Sequence, residues 1–244
     1  MKHLFTLSAV ATLLAGIVAP ASAHCIYVAQ RHSELGVVLG YSSVDQKYSP
    51  DSISVVSAYA ADGKPEPVEK ISNGTYVTLA APDVAVIGVA MDGGLYATPD
   101  ASGSKGWKKG GKTSVPGAVK GLHAIKYNLS IQKDSDVAIK PRGVGLEIVP
   151  LEMPMKKVRG DMLSVQVLLD GRPLEGVQLR EDFVNNDSLL TKKTDAAGKT
   201  LVTLHDDMLN VIGLEYDAPV AANPDIDFNR YATSLSFALP HKEQ

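Results

Sequence analysis

Apolar residues recur along this chain mostly at every second position. Between Asp161 and Asp170, Leu163, Val165, Val167 and Leu169 alternate with Ser164 and Gln166, the period of a strand with one covered face. Ile53, Val55 and Tyr59 share one parity after Pro50-Asp51, and Tyr231, Leu235, Phe237 and Leu239 share another near the C-terminus. Val84 to Met91 is apolar, and its eight residues suit a buried strand. Turn signals fall between such runs at Asp62-Gly63, Asn73-Gly74, Asp92-Gly93-Gly94, Asp170-Gly171 and Ala197-Gly198. Helical spacing is confined to Ala118, Leu122 and Ile125, which predict one amphipathic turn. The pattern predicts an all-β protein, most simply built from β-sandwiches.

Residues 1–23 have a different character. Lys2 and His3 precede an apolar stretch from Leu4 to Val18, and Ala21-Ser22-Ala23 supplies the small residues of a cleavage site, so a cleaved secretory signal peptide is expected. The apolar stretch is shorter than the ~20 residues of a membrane span. The mature chain would then be soluble and periplasmic, beginning His24-Cys25. Farther on, Pro141, Gly143, Gly145, Pro150 and Pro154 cluster around Leu146–Leu151. They place a boundary between an N-terminal β domain over 24–145 and a second β-sandwich over 146–244. Ser102–Lys112 is expected to be an exposed loop, with the Trp107 ring packed on the sheet below and the lysines in solvent.

Composition narrows the function classes. With 24 basic and 27 acidic residues the formal charge is −3; losing Lys2 with the signal leaves 23 against 27, or −4 before histidine. A nucleic-acid partner needs a basic surface, so none is expected. A single cysteine excludes a disulfide scaffold and a multi-cysteine zinc site. The chain has no G-x-S-x-G elbow, H-E-x-x-H helix, Walker loop or dinucleotide fingerprint, and no enzyme is predicted. Asp225-Ile226-Asp227 lacks the glycine and glutamate of a calcium loop and is expected to be a solvated turn.

The chemistry that stands out lies at the processed end. His24 would carry a free α-amino group of pKa about 7.7–8.0 beside an imidazole near 6.5. The amine and Nδ1 of one residue close a six-membered chelate ring, and Cys25 adds a thiolate, a set that suits Ni²⁺, Cu or Zn²⁺. The His-Cys start resembles the nickel hook of nickel superoxide dismutase, but Ala29 stands where that hook needs its second cysteine. Further ligands must come from distant sequence. An extended chain puts His32 ~26 Å from His24, and His241 lies in the C-terminal tail. That leaves His123 and His205, so the candidate metal ligands are His24, Cys25, His123 and His205. A site of this kind releases protons on loading and weakens below about pH 6.

Two resemblances bear on this. Gly171-Arg172-Pro173-Leu174-Glu175-Gly176-Val177 with Thr194-Asp195-Ala196-Ala197-Gly198 resembles the turns of prealbumin-like and immunoglobulin-like modules. Over nearly the whole mature chain, the Ala-His junction, Val37–Tyr59, Gly106-Trp107, Gly145–Pro150, Gly160–Leu204, Leu209–Tyr216 and Tyr231–Leu239 resemble the exported family described as the periplasmic component of nickel/cobalt uptake systems. That resemblance implies metal-ion handling outside the inner membrane, with Ni²⁺ or Co²⁺ as the ion and an inner-membrane metal transporter as a partner. Cys25 departs from it, because family members often carry an acidic or aromatic residue there. Two other functions remain open: a β-sandwich interaction module without metal, and a copper enzyme whose N-terminal histidine brace is completed by His123 or His205.

Overall fold

A computed structural model describes residues 24–31, 33–41 and 44–240. The expected signal peptide, His32 and His241 lie outside the described residues. In chain order the strands are β1 Cys25–Arg31, β2 Glu34–Tyr41, β3 Val44–Gln46, β4 Ile53–Tyr59, β5 Pro65–Glu66, β6 Glu69–Ser72, β7 Val77–Ala80, β8 Val86–Thr98 and β9 Lys108–Lys109. They continue with β10 Lys120–Ile131, β11 Leu146–Pro150, β12 Met162–Leu169, β13 Arg172–Pro173, β14 Arg180–Asp182, β15 Asn186–Leu190, β16 Lys199–Thr203, β17 Leu209–Pro219 and β18 Phe228–Ala238. Two short 3₁₀ turns, Pro50–Ser52 and Pro154–Lys156, are the only helical elements among the described residues. The protein is an all-β sandwich fold.

A central nine-stranded sheet runs β15-β14-β17-β18-β10-β8-β4-β5, with β9 added on β8. Its middle is a parallel pairing of β10 with β18, from Leu122 opposite Phe228 to Ile131 opposite Phe237. The boundary expected near 145 falls between β10 and β11, yet this sheet crosses it, taking β4, β5, β8, β9 and β10 from the first half and β14, β15, β17 and β18 from the second. β11, β12, β13 and β16 form a smaller sheet centred on β12. The two sheets share the main core: Val86, Leu129, Ile131, Ile212, Leu214, Leu235 and Phe237 from one face Leu146, Ile148, Leu163, Val165, Val167 and Val202 from the other. Alternation on β12 holds as expected, with Leu163, Val165 and Val167 inward.

Where the sequence pattern is broken, sheet geometry accounts for it. Val55 shares the parity of Ile53 but is exposed, because the β4–β8 register shifts between the two. Ala118, Leu122 and Ile125 do not form a helical turn; Leu122 and Ile125 lie on β10 between two partners, and Leu122 packs against Phe228. Asp92-Gly93-Gly94 does not end its strand. The chain continues through β8 with a bulge opposite Ala124 and Ile125, where Gly94 takes φ +83° and its N–H donates to Asp92. At Asp170-Gly171 the expected turn forms, both residues having positive φ, 50° and 75°.

The remaining sheet, β1-β2-β7-β6 with β3 on β2, covers the opposite side of the central sheet. Both faces of β1 are buried. Ile26 and Val28 meet Ile53, Ile87, Val89 and Met91, while Cys25, Tyr27 and Ala29 meet Phe183, Val211 and Ala232. β1 therefore stands with its unpaired edge toward the central sheet. Buried backbone groups on such an edge need partners, and side chains supply them. Asn128 Oδ1 accepts from Val28 N at 3.1 Å, Ser234 Oγ donates to Ile26 O at 2.5 Å, and Ser236 Oγ donates to Val28 O at 3.3 Å. Asn128 Nδ2 in turn donates to Ser234 Oγ at 2.8 Å and Ser236 Oγ at 3.1 Å.

Candidate functional site

His24 sits at the open end of this ladder. The next carbonyl along the unpaired edge is its own, and it accepts from the Lys126 ammonium at 2.5 Å. Lys126 reaches it from β10, on the face that carries Asn128, as the two-residue period requires. Burial pushes the Lys126 ammonium below its ordinary pKa. The ring of His24 is contacted from another strand. Register aligns Ile26, Leu39 and Gln46 across β1, β2 and β3, so His24, two residues before Ile26, shares the face of Gln46. The Gln46 side-chain amide lies 2.7 Å from His24 Nε2. Backbone and ring of His24 are thus each tied to a different sheet strand.

Cys25 points the other way. Successive side chains of a strand leave opposite faces, and the Cys25 thiol is only 1% exposed among Tyr27, Phe183 and Ala232. Its Sγ lies 3.7 Å from Thr233 O, and burial pushes its pKa up to about 12. The thiolate expected to join His24 in one chelate is replaced by a neutral core side chain. The run Cys25-Ile26-Tyr27-Val28-Ala29, apolar at five successive positions, carried that signal: it is the pattern of a strand covered on both faces.

The two distant histidines are not brought to His24. His123, of opposite parity to Lys126 on β10, pairs through Nε2 with Asp92 at 2.7 Å, and this contact holds the Asp92 carboxyl below its usual pKa. His205 follows β16 and pairs with Glu181 at 3.0 Å, beside Thr203 of the smaller sandwich sheet. Among the described residues no three His, Cys, Asp or Glu side chains form a group able to hold a metal ion. Among the described residues, the nitrogen donors gathered at this end are therefore those of His24 itself, in its backbone and ring.

Charged groups surround this end of β1. Glu215 of β17 is raised by burial, opposed by the Arg230 guanidinium, which lies 3.6 Å from it and is held by Asp217 at 2.7 Å. Arg230 also covers the rings of Trp107 and Phe228, at 5.7 and 5.4 Å from their centroids. Trp107 packs edge-on against Phe228, centroids 6.2 Å apart. The loop that carries Trp107 is pinned by the segment expected to be a solvated turn: Asp225 accepts from Thr113, and Asp227 accepts from Lys112 and from Gly121 N. Lys112 is accordingly engaged rather than solvated. Sequence reasoning missed Gln46, Lys126 and this Asp225–Asp227 clamp; a polar residue in a strand gives no periodic signal of what lies across the sheet.

Residues 21–217 match the family described as Domain of unknown function (DUF4198), and the chain belongs to that family. The match begins three residues before His24 and spans all three sheets, ending within β17. No curated protein and no solved structure matches the chain.

Proposed function

We propose that this is an exported, non-enzymatic binding or uptake-accessory protein for a transition metal, nickel or cobalt, with the processed N-terminus as its site. The observation that carries the proposal is the anchoring of His24: Lys126 holds its carbonyl and Gln46 contacts its ring. Cleavage after Ala23 would turn the His24 nitrogen into an amine, and that amine with Nδ1 is the bidentate nitrogen set that suits Ni²⁺ or Co²⁺. The burial of Cys25 removes the thiolate from the set and leaves a two-nitrogen chelate. Such a chelate leaves coordination positions for water or for donors of a receiving protein, which suits delivery to an inner-membrane transporter. The engagement of His123 and His205 with Asp92 and Glu181 weighs against a copper histidine brace completed by either.

The test is calorimetry on protein beginning at His24. It should bind about one Ni²⁺ or Co²⁺ per chain, and a variant with one extra residue before His24 should bind none. Equal stoichiometry in the extended variant would overturn the N-terminal site.

A further inference from the structure

We propose that Gln46 is a positioning residue for the ring of His24, holding Nε2 by a hydrogen bond whether the site is empty or loaded and so biasing the proton between the two ring nitrogens; this rests on the N-terminal chelate proposed above. β3 has three residues, all exposed, and is tied to β2 by register and to β1 by the Arg31–Asp45 pair at 3.3 Å. Asp45 and Gln46 leave opposite faces of β3. Asp45 therefore holds the strand on the Tyr27 side while Gln46 is delivered to the His24 side.

At 2.7 Å the contact is a full hydrogen bond, and one partner must donate. An imidazole offers a donor or an acceptor at Nε2 according to its tautomer, and a primary amide offers either end by rotating. With the Gln46 amide nitrogen toward the ring, Nε2 is the acceptor and the proton sits on Nδ1. A metal chelated by the amine and Nδ1 displaces that proton, so the neutral ring must carry it on Nε2. Gln46 then turns its amide through half a rotation and accepts Nε2–H with Oε1. The neutral ring keeps its one proton, moved from Nδ1 to Nε2, while the protonated amine gives up its own to solvent as the metal binds. The partner that accepts from a metal-bound imidazole fixes the ring plane and raises the basicity of the ligating nitrogen. A side chain that can both donate and accept serves the empty and loaded states alike, which neither a lysine nor a carboxylate at the same place would do.

The experiment compares Gln46→Met and Gln46→Glu in protein beginning at His24. Exposure of β3 makes both substitutions compatible with folding, checked by thermal unfolding. Gln46→Met should weaken Ni²⁺ binding roughly 10–100-fold, as loss of an orienting partner does, while Gln46→Glu, an obligate acceptor when ionised, should bind at least as tightly as the parent. The independent readout is the ¹⁵N shifts of the His24 ring in the metal-free proteins. These should report Nδ1–H in the parent, Nε2–H in Gln46→Glu, and a mixture in Gln46→Met. A parent that binds no Ni²⁺ would remove the chelate while leaving the ¹⁵N result to decide the role of Gln46. Identical ring tautomers in all three proteins would overturn the inference, as would equal loss of Ni²⁺ affinity in both variants.

Discussion

Replacing Cys25 by alanine separates a core thiol from a ligand. The side chain is 1% exposed, packed between Tyr27, Phe183 and Ala232. A Cβ built on Gly213 would come within 3.5 Å of Sγ, so the neighbouring backbone is already close. Removing a sulfur from such a site costs its transfer free energy and leaves a small cavity, together ~1–2 kcal/mol. For a chain of this size that lowers Tm by about 2–8 °C. The thiol itself should be inert while the protein is folded. With its pKa raised by burial from 9.0 to about 12, the thiolate fraction at neutral pH falls roughly a thousandfold. The assays are urea and thermal unfolding of Cys25→Ala, alkylation kinetics of the parent thiol with and without denaturant, and Ni²⁺ calorimetry of both proteins begun at His24. Stability should fall, alkylation should wait for unfolding, and Ni²⁺ stoichiometry should be unchanged. Alkylation of the native thiol within tenfold of a free cysteine would overturn the core role of Cys25, and so would loss of Ni²⁺ at unchanged stability.

Two further outcomes follow from buried polar groups. Cys25, Tyr27 and Tyr48 are each raised to about 12, chiefly by burial. The unfolded chain releases these protons near ~8.5 and ~10 while the folded protein retains them, so their contribution is full below about pH 8 and is lost as pH rises toward 12. For Cys25, fully enclosed, the decline approaches ~1.4 kcal/mol per pH unit above its unfolded pKa; Cys25→Ala should abolish the part seen between about pH 8.5 and 10, and urea titrations that show no difference there would contradict this. Asn128→Ala leaves Val28 N–H without its acceptor and the hydroxyl oxygens of Ser234 and Ser236 without the amide that donates to them. It should cost roughly 2–4 kcal/mol and speed amide exchange at Val28, and a loss under ~0.5 kcal/mol would show that water fills the gap.

Strands whose one face is covered were legible in the sequence, because burial of one face imposes a period of two, as at Leu163, Val165 and Val167. What that period could not supply was pairing. Tyr231, Leu235 and Phe237 predicted a strand, yet the other parity of β18 is buried as well: Ala232, Ser234 and Ser236 face β1. Those serines look like surface positions in the sequence and are instead the partners of another strand's backbone. Asp92-Gly93-Gly94 carried the residues of a turn, and the same conformational freedom served a bulge within a continuous strand. For the candidate site, His24 was marked by its place after the expected cleavage signal. Gln46 and Lys126 lie 22 and 102 residues away from it and carry no local mark.

By itself the sequence determined the strand class, most of the turns and the residue at the expected new terminus, since each follows from near neighbours along the chain. The tertiary structure decided the rest. It joined the two halves through the parallel β10–β18 pairing, and it turned β1 so that its free edge meets Lys126, Asn128, Ser234 and Ser236. It also sent Cys25 into the core while His24 stayed at the margin. That last division comes from one rule acting in one place: adjacent residues on a strand leave opposite faces, and only the sheets packed on either side determine which of the two is kept from water.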